Sequence, residues 1–113
     1  MPLFSRGLWR IASANVSSGN RVQLLHDGPE TFDAMIRLIE GARESVALES
    51  YIFRSDEVGQ RFATALKEAA ARGVQVRAIM DGIGMLGTSR RYVRDLRQHG
   101  VDVRVFNRPG LKL

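Results

Sequence analysis

The sequence lacks several features that would assign a protein at once to a large class. None of its 113 residues is cysteine, so disulfide bonds and thiolate metal sites are excluded. No stretch approaches the roughly 18 consecutive apolar residues that a membrane-spanning helix needs. Lysine is scarce, since fifteen of the seventeen basic residues are arginine. These absences predict a protein that is soluble or peripheral to a membrane.

The overall composition is that of one globular domain with an excess of basic charge. Hydrophobic residues make up 44% of the chain and charged residues 26%, values that argue against disorder. The formal net charge is +5. Because a guanidinium group binds phosphate oxygens in a bidentate fork, this arginine excess suits phosphate or anionic-lipid surfaces. A GC-rich coding sequence and simple solubility account for the same excess.

The chain divides into two parts at residue 20. Residues 1–20 combine apolar side chains, among them Trp9, with Arg6 and Arg10, and they end in a Ser/Asn/Gly stretch typical of a linker. The two arginines interrupt the apolar core that a signal peptide needs. This segment either lies at a membrane interface or is a frayed terminus that packs one aromatic ring on the domain. Residues 21–113 form the domain itself.

Four apolar segments alternate with three amphipathic segments in the domain. The helical segments begin at Pro29, at Ser55 or Asp56, with Asp56 the favoured cap, and at Thr88 or Ser89, all residue types favoured at helix starts. Connections of helical length impose parallel strands. The sequence therefore predicts an α/β fold with a predominantly parallel sheet, βαβαβαβ order and helices on both faces. The predicted strands span residues 21–25, 45–53, 74–80 and 101–106.

Polar and glycine residues follow the predicted strands, at the edge of the sheet that we call the strand-end rim. Parallel sheets bind ligands beyond the carboxyl ends of their strands. We therefore predict that Asp27, Arg54, Asp81 and Gly82, which lie at these ends, bind substrate. An alternative is structural: aspartate before glycine is common in turns, and Arg54 fits a solvated loop.

Two features in and after the predicted strands also have two interpretations. The carboxylate of Glu49 lies in an otherwise apolar strand, so it needs a partner at a helix end, or it points into a cleft. The stretch GIGMLG at residues 82–87 fits G-x-G-x-x-G, but it follows the third strand instead of the first. It is therefore a weak indication of nucleotide binding.

The third predicted helix carries a basic face made of Arg90, Arg91, Arg94 and Arg97. Such a face suits DNA or an anionic membrane. It is equally typical of the solvated outer side of a helix in an α/β protein. Tyr92 is the one aromatic residue in this segment, so the sequence lacks the series of interleaved aromatic side chains that stacking on single-stranded nucleic acid would require.

Taken together, residues 20–110 resemble the start of the first catalytic domain of bacterial cardiolipin synthases in the phospholipase D superfamily. The matching elements are LL-x-DG, E-x-Y-I-F, D-x-x-G, A-x-RGV-x-VR and DG-x-G. The resemblance implies an incomplete phospholipase D-like domain. It also implies phosphatidyl transfer through a phosphohistidine, carried out by two facing His-x-Lys-x4-Asp motifs. In that chemistry a histidine attacks phosphorus, a lysine neutralises the phosphoryl oxygens and a second histidine protonates the leaving alkoxide.

Neither copy of that motif occurs in this sequence. The residue two positions after His26 is Gly28, and the residue two positions after His99 is Val101. In the family the first motif comes shortly after the fourth strand. We therefore predict no catalytic residue, cofactor or metal in these residues, and a truncated chain that is inactive alone.

The resemblance also sets the expected partners and location. The expected partners are an anionic phospholipid or membrane surface, and the missing C-terminal half or a separate chain that carries the motifs. A non-catalytic module that binds anionic lipid or nucleic acid is the alternative, as is a fragment of a phospholipase D-like nuclease; nucleic acid is the less favoured partner. The expected location is the bacterial cytoplasm or the cytoplasmic face of the membrane, with peripheral attachment.

Overall fold

The computed structural model of the protein describes residues 17–108 and residue 110. The predicted interfacial segment and the first part of its linker, within residues 1–16, therefore lie outside the described residues. The described part contains three helices and three strands in alternation, beginning with a helix. Their bounds are α1 Gly28–Gly41, β1 Ser45–Ser50, α2 Glu57–Ala71, β2 Gln75–Asp81, α3 Arg90–Gln98 and β3 Asp102–Phe106.

The strands form one parallel sheet in the order β1, β2, β3. Ser45 of β1 lies opposite Gln75 of β2, and Arg77 of β2 lies opposite Asp102 of β3. The α/β fold and the parallel sheet predicted from the sequence are confirmed. The connections are helices because two adjacent parallel strands need a crossover longer than any turn.

The strand predicted at residues 21–25 is wrong, so the element order among the described residues is αβαβαβ. Residues 21–26 have no regular secondary structure, and the side chains of Val22 and Leu24 are 88% and 74% exposed. Their apolar alternation is compatible with a strand. However, a strand also needs the backbone of a neighbour, and these residues pair with no strand in the described part of the chain.

The prediction of helices on both faces of the sheet is also corrected within the described residues. The crossovers from β1 to β2 and from β2 to β3 move in the same direction across the sheet. Because parallel crossovers are right-handed, two crossovers in one direction place α2 and α3 on the same face. Helix α1 contacts α2 and joins the same core. The face of Ile79 and Phe106, which we call the open face, is exposed.

The core lies between the helices and the covered face of the sheet. Strand β2 alternates strictly, with Val76, Ala78 and Met80 buried and their neighbours Arg77 and Ile79 exposed. This period of two is expected for a strand with one covered face. The largest fully buried side chains are Leu66, Met80 and Leu96.

Candidate functional site

The strand-end rim is built from the starts of the helices and the ends of the strands. Each helix begins with a side-chain cap: Asp27 accepts from the Glu30 amide at 2.9 Å, and Asp56 accepts from the Gly59 amide at 2.9 Å. Ser89 caps α3 in the same way. Helices that return between parallel strands run antiparallel to them, so the starts of α2 and α3 lie at the carboxyl ends of the strands. The start of α1 lies at the same edge, because the ring of Phe32 packs against Phe62 and lines a pocket at the end of β1.

A turn after β2 fixes the centre of the rim. One carboxylate oxygen of Asp81 accepts from the amides of Ile83 at 2.8 Å and Gly84 at 3.2 Å. The amide of Gly82 donates to the carbonyl of Phe106 at 2.7 Å, which ties the end of β2 to the end of β3. The Asp81 carboxylate and the Gly82 amide therefore both have structural roles in this turn.

Two glycines bring neighbouring backbones into close contact at the rim. A Cβ atom on Gly84 would lie 2.6 Å from the carbonyl carbon of Tyr51 and closer still to its oxygen. A Cβ atom on Gly59 would lie 2.9 Å from the carbonyl carbon of Arg54 and would overlap its oxygen. Only glycine allows such an approach. These contacts seat the turn after β2 and the start of α2 against the segment that follows β1.

A layer of aromatic side chains supports the rim from beneath. The ring centroids of Phe53 and Phe62 lie 6.4 Å apart, and those of Phe53 and Tyr92 lie 5.7 Å apart. The buried hydroxyl of Tyr92 donates to the carbonyl of Gly59, which joins α3 to α2. Burial raises the pKa of this hydroxyl, and the nearby Asp56 carboxylate raises it further, so the hydroxyl stays protonated.

Replacing Tyr92 with phenylalanine tests how much this hydroxyl stabilises the rim. We expect the free energy of unfolding to fall by about 1 kcal/mol, the net contribution of one buried hydrogen bond. Urea denaturation followed by circular dichroism measures the change. Tyr51→Phe is a matched control because Tyr51 is 62% exposed. Equal effects of the two substitutions would contradict a structural role for the Tyr92 hydroxyl.

A cleft of about 620 Å³ opens at the rim between α3 and the end of β3. Four arginines line this arginine cleft: Arg90, Arg94 and Arg97 from α3, and Arg108 from the segment after β3. None of its lining residues is acidic. The acidic residue of α3, Asp95, instead binds Lys67 at 2.7 Å, and this hydrogen bond lowers the pKa of Asp95.

A smaller pocket of about 230 Å³ lies at the end of β1. Its lining is mainly apolar, with Phe53 and Phe62 among the contributors, and it also includes Glu49 and Arg54. Glu49 is exposed at this edge and makes no salt bridge with the described residues. The carboxylate is therefore hydrated, which removes the need for a buried partner.

The four predicted substrate-binding residues are all placed at the rim, but they do not form one cluster. Asp81 and Gly82 share the turn after β2, whereas Asp27 caps α1 and Arg54 lies in the exposed segment before α2. Their contact with substrate stays a prediction. The sequence did not predict that Arg108 joins the arginines of α3 in one cleft. The helical spacing of Arg90, Arg94 and Arg97 and the position of Arg108 after β3 were the available signals.

The match to a known protein family decides where this fold belongs. The family described as "Cardiolipin synthase, PLD-like domain" matches residues 35–112. The chain belongs to this family. The match covers all three strands, helices α2 and α3 and part of α1. The arginine cleft therefore lies within it, as does the rim except for Asp27 and the start of α1.

The curated relatives that this PLD-like chain matches are named cardiolipin synthases, in agreement with the description of the family. It is 40% identical to the cardiolipin synthase of Listeria monocytogenes over 93 residues, covering 82% of this chain and 19% of that protein. It is 39% identical to the cardiolipin synthase of a Geobacillus species over 98 residues, covering 87% and 20%. It is 38% identical to cardiolipin synthase A of Pseudomonas aeruginosa over 102 residues, covering 90% and 21%. The chain thus spans about a fifth of the length of these relatives.

Among solved structures, the PLD-like chain resembles the polyphosphate kinase of Porphyromonas gingivalis. The TM-score is 0.48 at 20% sequence identity, and the match covers 73% of this chain and 14% of the kinase. A resemblance at this level says nothing about activity.

No helix among residues 17–108 is both long enough and apolar enough to cross a membrane. Over the same described part of the chain, no three histidine or acidic side chains are grouped so that they could hold a metal ion.

Proposed function

We propose that this chain forms the first part of a catalytic domain that transfers phosphatidyl groups. The observation that carries the proposal is the family match over residues 35–112, which include all three strands of the sheet and the segments that follow them. The rim would form one wall of the site in which the phosphodiester lies. In this proposal Arg54 is the predicted substrate-binding residue that is best placed to contact phosphate, because its side chain is exposed at the rim.

The chemistry itself would come from outside these 113 residues. The resemblance implies a histidine nucleophile and a lysine in a His-x-Lys-x4-Asp motif, and the sequence contains no such motif. Without the nucleophile a covalent phosphohistidine cannot form. We propose that a longer protein or a separate chain supplies the motifs, and that membrane phospholipid is the substrate. On this proposal the domain acts at the cytoplasmic face of a bacterial membrane.

The purified 113-residue chain is therefore expected to make no cardiolipin from phosphatidylglycerol vesicles. Mass spectrometry of the lipid products, compared with vesicles lacking protein, measures this. Cardiolipin formed by pure chain in proportion to its concentration would contradict the proposal that the motifs come from elsewhere.

A hybrid protein tests the proposal that this segment is a scaffold for phosphatidyl transfer. Residues 21–108 would replace the aligned segment of the Pseudomonas aeruginosa cardiolipin synthase A, which supplies its own downstream sequence. We expect the hybrid to form cardiolipin, and the same hybrid with its motif histidines replaced by alanine to form none. Limited proteolysis establishes that both hybrids fold. A folded hybrid without activity would overturn the proposal that this segment is a phosphatidyl-transfer scaffold.

A further inference from the structure

We propose that the arginine cleft binds the phosphate group of an anionic phospholipid headgroup at a membrane surface. This inference goes beyond phosphatidyl transfer, because binding in the cleft needs no catalytic motif. It concerns a surface on α3, the turn after β2 and the end of β3. Of the four predicted substrate-binding residues, only Gly82 lines this cleft. Three properties of the cleft support it: its charge, the position of one arginine and its apolar floor.

The charge in the cleft is of one sign. In the described part of the chain, no carboxylate makes a salt bridge with any of the four arginines. Arg90, Arg94 and Arg97 follow one another at intervals of four and three residues, which places them along one side of α3. Like charges held together without counter-charges repel one another, so an anion that enters the cleft relieves this repulsion.

One arginine is fixed before any ligand binds. The Nε and one terminal nitrogen of Arg97 both donate to the carbonyl oxygen of Val103, at 3.1 and 2.7 Å. A guanidinium group has five N–H donors, so three remain for an anion. Because Arg97 is already ordered, binding through it loses less conformational entropy than binding through a free side chain. Phosphate oxygens match the fork that such a guanidinium presents.

The floor of the cleft favours a lipid over a nucleic acid. Val93, Val105 and Met85 line it beneath the arginines, and no aromatic side chain is present to stack on a base. The turn that contributes Met85 also carries Ile83 and Leu86, which are 45% and 68% exposed. Apolar side chains beside basic ones are typical of surfaces that enter the headgroup layer of a bilayer. A glycerophospholipid offers the matching combination of phosphate and adjoining hydrocarbon.

Vesicle flotation with the 113-residue chain tests the proposal. We expect the chain to float with vesicles of mixed phosphatidylcholine and phosphatidylglycerol and not with pure phosphatidylcholine, and to be released by salt. The double variant R94Q/R108Q removes two cleft charges while leaving the Arg97–Val103 contact in place. Its partition onto anionic vesicles is expected to fall about 30-fold, the effect of two arginines at an anionic surface.

The control variant R37Q/R43Q removes the same charge from two exposed positions, one in the C-terminal half of α1 and one between α1 and β1. Its partition is expected to fall less than about threefold, because charges farther than a Debye length are screened. The variant R94K/R108K keeps the charge and loses the bidentate fork, and we expect it to recover part of the binding. Thermal melts monitor the fold of every variant, and nitrogen-15 NMR of arginine side chains in the wild-type chain locates the bound headgroup if a variant does not fold.

Several results would overturn the proposal. Equal losses in the two glutamine variants would mean that net charge alone drives binding. Release of the chain by millimolar glycerol phosphate at constant ionic strength would assign the cleft to soluble phosphate compounds instead of lipid. Tighter binding to a DNA duplex than to anionic vesicles, lost in R94Q/R108Q, would assign it to nucleic acid. Each of these outcomes is independent of the hybrid-protein test of catalysis.

Discussion

Replacement of Gly84 with alanine will destabilise the domain by about 3 kcal/mol or more, a large effect for a single substitution. The added methyl group would meet the backbone of Tyr51, with 2.6 Å to its carbonyl carbon. A flexible side chain could move away from such a clash, but here the obstacle is main chain. To relieve the clash, the turn after β2 must move away from the segment after β1. This movement would also disturb the hydrogen bonds from the Ile83 and Gly84 amides to Asp81.

Urea denaturation followed by circular dichroism measures the loss, with Gly41→Ala as the matched control. A Cβ atom on Gly41 meets nothing within 4 Å, and this residue ends α1. Alanine there is expected to be neutral or to stabilise by up to about 1 kcal/mol, since it reduces the entropy of the unfolded chain. Similar denaturation midpoints for the two alanine variants would show that the turn tolerates the extra volume.

Replacement of Leu66 with alanine is expected to lower the free energy of unfolding by about 3 kcal/mol. Leu66 is on α2 and is completely buried in the core. The substitution removes the contacts of its buried methyl groups and leaves a cavity that the surrounding helices and sheet only partly fill. In a domain whose total stability is about 5–15 kcal/mol, this loss is a large fraction.

The control for this effect is Leu38→Ala on α1, because Leu38 is 76% exposed. The same chemical change there is expected to alter stability by less than about 0.5 kcal/mol. Calorimetry or urea denaturation gives both values. A small loss for Leu66→Ala, comparable with that for Leu38→Ala, would mean that the core is more adaptable than its full burial indicates.

Local patterns in the sequence predicted most of the regular structure correctly. Asp56 caps α2 as predicted, and Ser89, one of the two candidates, caps α3. The other candidate, Thr88, donates its hydroxyl to the Phe53 carbonyl at 2.7 Å. Strand β1 ends at Ser50, three residues earlier than predicted, and the Ser50 hydroxyl binds the Ile52 carbonyl. Caps and periodicity involve neighbours in the chain, so a sequence shows them directly.

Features that depend on distant parts of the chain were harder to predict. Residues 21–25 have a strand-like alternation, but only a neighbouring strand would make them one. The faces covered by helices depend on the order of the strands in the sheet, which the sequence of elements does not give. Parts of the candidate site were likewise predictable from local sequence, and parts were not. The rim followed from strand ends, whereas the joining of Arg108 with the arginines of α3 depends on how β3 packs against that helix.

The face of the sheet to which each connecting helix leads also restricts where a ligand crevice can form. In open parallel sheets, ligand crevices lie where consecutive connections lead to opposite faces, because the loops there diverge. Strands β1, β2 and β3 contain no such point, since both of their connections lead to one face. A strand that followed β3 in the chain and joined the sheet beside β1 would carry its connecting helix over the open face. The divergence would then fall next to β1, where Glu49 and Arg54 line the smaller pocket.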